Sequence, residues 1–334
     1  MREITQEDID LAAKRSLYIL DRPKKFTETA AFLAVMGEML LLAAALFFVC
    51  AFKNVLPLFA VLALSAAVWI WIFGHRKKMI GNIGIENARL SGFSEKQFSE
   101  LAECREINTV LCQELYSDKV MELFEKKLSG SSGYIRIYCL CNLMSGHIQR
   151  LEEDMLEKRA AELEALTPNS NTEERERANG LLYFYYFKKR YSELTEFFEN
   201  NELIFFQKAS SGFDSIYSLM AELAVYHFAS GDYEKALLYF KRCLEYEENK
   251  LNVREMKKAP ANKCEQLNMG AFAVNCARCC VESGDVETAE KFLSKSGPVH
   301  RLTPHLEQKF NETKAMLDNI KTGGQTNEFN KRNT

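Results

Sequence analysis

The sequence predicts an all-α protein: an apolar two-helix hairpin followed by an α-solenoid of stacked helix pairs. Three observations predict it. Residues 30–52 and 55–74 are apolar almost without interruption and are separated only by Lys53 and Asn54. From His75 onward apolar residues recur at helical spacing, strand-like alternation is scarce, and Gly and Pro breaks are few. Late in the chain a small residue, a Gly-Asp or Gly-Asp-like turn and a second small residue recur. The 334 residues divide into a segment 1–29, a hairpin 30–74, a linker helix 75–93, a repeat domain 94–320 and a polar tail 321–334 expected to be disordered.

The first segment reads as a short amphipathic helix over residues 4–20. Thr5 is placed to cap it, Glu7 and Asp8 favour its first turn, and Ile9, Ala12, Leu17 and Leu20 share a face. Asp21-Arg22-Pro23 is expected to stop it. Two placements are open: on a membrane surface, with Lys14 and Arg15 near anionic lipid, or packed on the cytoplasmic domain.

Each run of the hairpin is long enough to cross a hydrocarbon core of about 30 Å, which takes roughly 20 apolar residues. Arg2, Lys14, Arg15, Arg22, Lys24 and Lys25 precede the runs and His75-Arg76-Lys77-Lys78 follow, while the turn has Lys53 alone. Basic residues stay cytoplasmic, so the expectation is a cell-membrane protein with two spans and both termini in the cytoplasm. The first run lies too far in, and is too long, for a signal peptide. In that reducing compartment the ten cysteines argue against a disulfide framework, and the Asn311-Glu312-Thr313 sequon is silent.

Glu38 is the ionisable group inside the first run, costly there and a functional suspect. Antiparallel pairing about Lys53 and Asn54 puts it level with Trp69, so relief comes from protonation or from hydrogen bonds to Trp69 or Ser65. A neutral acid joining two helices, or two protomers in a homo-oligomer, stands beside a proton or ion pathway. Ala60, Ala63 and Ala67 offer small residues for close helix contact, and Trp69 and Trp71 suit an interfacial belt.

In the repeat domain, 94–97 resembles a capping box, 129–133 and 167–171 read as turns, and Asn171 with Glu174 is placed to cap the next helix. Residues 220–248 read MAELAVYHFASGDYEKALLYFKRCLEYEE. Leu223 is an apolar knob on a first helix and Ala224 is small where the second helix crosses. Gly231-Asp232 turns the chain and Tyr233 opens the second helix. Ala236 is again small, and Phe240 and Leu244 bury the far end. This resembles a tetratricopeptide repeat, with Met220 where the family often has Trp and Glu248 where it often has Pro. Ala277, Gly284-Asp285, Val286 and Ala289 repeat the signature, with the second helix cut short at Gly297-Pro298. Tyr191 and Phe198 match Tyr233 and Phe240 in a degenerate unit with Leu194 in the small position, and a further unit turns at Gly146. Turns at about 146, 189, 231 and 284 are spaced more widely than the family's 34 residues. Pro304 starts a last helix whose Leu306, Phe310, Met316 and Leu317 are spaced to cap the stack.

The resemblance implies a superhelix in which the first helix of each pair lines a groove that grips extended or helical peptides. By position the groove would comprise Arg136, Leu140, Asn179, Tyr183, Tyr186, Val225, Phe228, Arg278 and Glu282. Tyr183, Tyr186 and Phe228 read equally as ordinary core. The expected partners are one or more proteins and the lipid bilayer.

Other chemistry finds little support. A net charge of −3 supplies no basic field for nucleic acid. Cys276-Ala-Arg-Cys279-Cys280, with Cys264 and His300 nearby, contains a C-x-x-C, but zinc needs four converging ligands and these positions lie mid-helix where packing residues belong. Phosphate-binding, dinucleotide, zinc-protease and nucleophile-elbow motifs are missing from the sequence. No enzyme activity, cofactor or metal is expected. The reading is a membrane-anchored scaffold or adaptor; the alternative is an accessory subunit of a transport or secretion complex in which the hairpin and Glu38 carry function.

Overall fold

The computed structural model describes residues 4–53, 55–90, 95–206, 213–256, 258, 262–297 and 299–322. Asn54, Ser94, Pro298 and the tail from 323 lie outside them, as do the side chains of residues 12–22 and with them the predicted face of Lys14 and Arg15. Every regular element among the described residues is a helix, and none is a strand. They fall into two compact units, one built on residues 5–95 and one on 96–209 with 214–334.

The first unit pairs α1 (Gln6–Phe52) with α2 (Leu56–Leu90). Thr5 caps α1: its Oγ1 accepts from Asp8 N–H at 3.2 Å, and Asp8 Oδ2 accepts from Thr5 N–H at 3.0 Å. The helix does not stop at Pro23 as expected. Proline removes one N–H donor from the ladder without preventing the next turn, and Thr27 Oγ1 donates to the Pro23 carbonyl at 2.7 Å within it. Segment and first apolar run are therefore one helix, and the second run continues into the linker as another.

On α2, Val61, Ser65, Val68 and Ile72 recur at 4–3–4 spacing and form the covered seam, opposite the buried Ala45 of α1. Ala60, Ala63 and Ala67 are exposed, a correction to the expected close contact. Hydrogen bonds from Ser65 and Trp69 to Glu38 fix the rotation of α2 and turn the alanines outward. The stretches Pro23–Phe52 and Leu56–Met79 are long and apolar enough to cross a membrane, and 6% of each apolar window is buried. A core helix of a soluble protein covers far more of its apolar surface.

The second unit begins with α3 (Glu95–Ala102), α4 (Arg105–Glu114) and α5 (Asp118–Ser129). Next come α6 (Gly133–Arg150), α7 (Glu153–Glu164), α8 (Asn171–Phe187), α9 (Tyr191–Asn200) and α10 (Glu202–Phe206). The remainder is α11 (Phe213–Ala229), α12 (Tyr233–Met256), α13 (Lys263–Glu282), α14 (Val286–Ser296) and α15 (Pro304–Lys321). Ser170, one residue before the expected Asn171, caps α8: its Oγ accepts from Glu173 N–H at 3.2 Å.

Four helix pairs, α6–α7, α8–α9, α11–α12 and α13–α14, turn in one way. A residue at positive φ follows the first helix: Leu151 (61°), Lys189 (55°), Gly231 (80°) and Gly284 (80°). The next N–H reaches back five residues, from Glu152 to His147, Arg190 to Tyr185, Asp232 to His227 and Asp285 to Cys280, at 2.8–2.9 Å. This is the Schellman closure, which satisfies carbonyls that a helix end leaves open. The expected turn at Gly146 is thus displaced to Leu151, and Gly146 lies inside α6. Its glycine serves close approach: a Cβ there would come within 2.8 Å of Met121 Cε and 3.0 Å of Tyr116 Cδ1.

Leu223, Ala224, Ala236, Phe240, Ala277 and Ala289 are all buried, and Tyr233 packs edge-on to Phe228 with ring centroids 5.4 Å apart. Leu317 joins Ala277, Ala289 and Leu293 in one cluster, with Phe310 and Met316 against it, while Leu306 packs with Leu267 and Val274. The last helix also reaches further than a cap. Its N-cap residue Thr303 donates from Oγ1 to Gln149 Oε1 of α6 at 2.7 Å, and α15 packs on both α13 and α6.

Candidate functional site

The contact of α15 with both α6 and α13 borders a cavity of about 450 Å³. Its wall takes Ser145, Ile148 and Gln149 from α6, Tyr183, Tyr186 and Phe187 from α8, Phe228 from α11 and Asn275 and Arg278 from α13. Each of these is the first helix of its pair. From the other side α15 contributes His305, Gln308, Lys309 and Glu312.

An aromatic wall forms because residues near the ends of α8 and α11 meet across the turns. Phe228 lies edge-on to Tyr186 at 5.8 Å and to Tyr191 at 6.0 Å. The Tyr186 hydroxyl donates to Asn275 Oδ1 and accepts from Lys309 Nζ, both at 3.3 Å. The same amine lies 4.6 Å from the Tyr186 ring centroid. Beside it Glu312 Oε2 lies 3.4 Å from Lys189 Nζ and 3.7 Å from Arg278 Nη1, and Arg278 Nε is 3.5 Å from Glu282 Oε1.

Burial sets the titration of this site. It is the largest cause pushing Lys309 down to about 7, followed by the Arg278 charge, with Cys279 and Glu312 opposing. Burial also pushes His305 down to about 3, helped by Lys309, so its ring is neutral against Phe187, 5.1 Å away. The Tyr183 and Tyr186 hydroxyls are held well above their ordinary value, again by burial first. Burial works against the Glu312 carboxylate, but Gln308, Lys189 and Arg278 outweigh it and keep its pKa low.

Of the nine groove positions, Tyr183, Tyr186, Phe228 and Arg278 line the cavity. Leu140 and Val225 are fully buried core residues with no surface to offer, a correction to their expected place in a groove. Arg136 and Asn179 are half-buried away from the cavity lining, and Asn179 Oδ1 is buried without a hydrogen-bond partner among the described residues. Glu282 reaches the site through Arg278. Sequence reasoning missed Lys309, Asn275 and Glu312. The signal was available: His305, Lys309 and Glu312 recur at i, i+4, i+7 on one stripe of α15, beside an apolar stripe of Leu306, Phe310 and Leu317.

The other candidate, Glu38, accepts on Oε1 from Ser65 Oγ at 2.6 Å and from Trp69 Nε1 at 2.8 Å, and its Oε2 has no hydrogen bond among the described residues. It borders a groove of about 510 Å³ between α1 and α2. Cys276, Cys279 and Cys280 are buried in α13, and no cluster of three metal-ligating groups occurs among the described residues. No family model, no curated protein and no solved structure matches this chain.

Proposed function

We propose that the chain is a membrane-anchored scaffold of the tetratricopeptide type. The hairpin α1–α2 spans the membrane with both ends cytoplasmic, and the repeat unit, stacked as a superhelix, binds a protein partner through the inner helices. Supporting the anchor are two long helices whose apolar surface is left uncovered and the basic residues Lys24, Lys25, Arg76, Lys77 and Lys78 at one end of them. The observation that carries the scaffold reading is that α6, α8, α11 and α13, the first helices of four pairs with one turn geometry, all contribute to one cavity wall. Anchoring raises the local concentration of a bound partner near other membrane proteins.

The test is affinity capture with mass spectrometry from native membranes, comparing wild type with Arg278→Ala/Lys189→Glu and with a variant altered at Tyr183, Phe228 and Arg278. Each variant must keep its helical signal and melting behaviour. A partner lost from both variants supports the reading; identical partners in all three sink it. A second reading, a subunit of a transport or secretion complex, is favoured by Glu38 with one oxygen bonded and one left over. For that reading Glu38→Leu dissolves the complex while the repeat unit stays folded.

A further inference from the structure

Six charged side chains other than His305 line the cavity under α15: Lys188, Lys189, Arg278 and Lys309 against Glu153 and Glu312. The excess is cationic in a chain whose net charge is −3. Lys188 is matched by Glu153 at 2.6 Å and Glu157 at 3.0 Å, and Lys189 and Arg278 share Glu312. Lys309 is the one left over. Among the described residues no carboxylate lies within 4.0 Å of its Nζ, and its hydrogen bond is to the neutral Tyr186 hydroxyl. A half-buried ammonium without an anion is costly and is what an anionic ligand would relieve.

Size and walls narrow the ligand. A cavity of about 450 Å³ lies in the small-molecule range, and a single turn of α-helix, about 10–12 Å across and 5.4 Å long, would fill it. Tyr186, Tyr191 and Phe228 present apolar ring surface beside the amine. We propose that this cavity binds a small organic acid, its carboxylate against Lys309 Nζ and its apolar body against Tyr186, Tyr191 and Phe228. This goes beyond the scaffold reading and stands without a protein partner.

The ion pair also predicts proton linkage. Facing Lys309 are Arg278 and Cys279 of α13, Tyr186 of α8, Lys189 beyond its end, and His305 and Glu312 on α15 itself. With the free amine at about 7, a carboxylate raises its pKa, so binding is strongest where the amine is charged and takes up a proton above neutrality.

The experiment is isothermal titration calorimetry on the full chain in lipid nanodiscs. The probes are indole-3-acetate, 3-phenylpropionate and octanoate, each beside its primary amide, at about pH 6.5 and about pH 8.5, either side of the free amine. The expected result is saturable binding of at least one acid at the lower pH, roughly tenfold or more weaker for its amide, for Lys309→Met and at the higher pH. If Lys309→Met loses its helical signal, the wild-type amide and pH comparisons decide. Absence of binding by all three acids overturns the proposal, as does an amide bound as tightly as its acid or a folded Lys309→Met with unchanged affinity. A hexapeptide with a free C-terminal Phe binding where none of the acids does also overturns it, and assigns the carboxylate to a peptide.

Discussion

Lys309 sits between the Tyr186 ring and the Arg278 charge with its pKa lowered to about 7. An unfolded lysine titrates near 10.4, so between those values the unfolded chain binds more protons and stability rises with pH. The penalty is complete below about pH 7 and fades as pH climbs toward the unfolded value. The Lys309→Met variant keeps the stem and drops the charge. It should melt several degrees above wild type near pH 6, with the gap shrinking by about pH 9. A gap independent of pH in thermal melts would show that the lysine is charged and solvated in the folded state. The residue that destabilises the fold is thus the one the ligand proposal needs, the usual cost of a binding group held ready.

The four helix-pair turns share a backbone closure but differ in residue, which separates what was legible in the sequence from what was not. Gly231 and Gly284 announced their turns because glycine adopts positive φ freely. Leu151 and Lys189 take the same conformation without that licence, so the turn after α6 was hidden and Gly146, needed for contact with Met121 and Tyr116, was mistaken for it. The stop expected at Pro23 failed because one lost donor does not end a long helix. Tyr186, Phe228 and Arg278 could be placed from the register of their helices. The polar stripe that carries Lys309 is legible as well, but its meeting with Tyr186 is not, since that depends on where α15 docks, a long-range contact that local periodicity does not encode. The turns also predict opposite signs. Gly231→Ala and Gly284→Ala meet no atom within 4 Å, so they should cost only the backbone term, about 1–2 kcal/mol. Leu151→Gly and Lys189→Gly should be neutral or gain up to about 1 kcal/mol. Urea denaturation of the four variants checks both, and equal losses at all four would mean the turns are not held in this conformation.

In an open array of repeats each unit touches only its neighbours, and the ends can fray while the middle holds. The second unit is tied instead by contacts across more than 150 positions: Thr303 to Gln149 at 2.7 Å, and Cys264 Sγ to the Leu111 carbonyl at 3.6 Å. Unfolding in urea, followed by helical circular dichroism and by exposure of the buried thiols of α6, α12 and α13, should therefore give coincident transitions. Ending the chain after Thr303 should split them, and coincidence in the truncated chain would show that α15 is not the tie. The same closure has a consequence for synthesis. Ribosomes release about 5–20 residues each second, so Tyr186 emerges several seconds before Lys309 does. Until then the ring wall of Tyr186, Tyr191 and Phe228 has no α15 over it. The nascent chain passes through an interval in which that surface is open to chaperones and to other chains, and the last described helix to be made is the one that ends it.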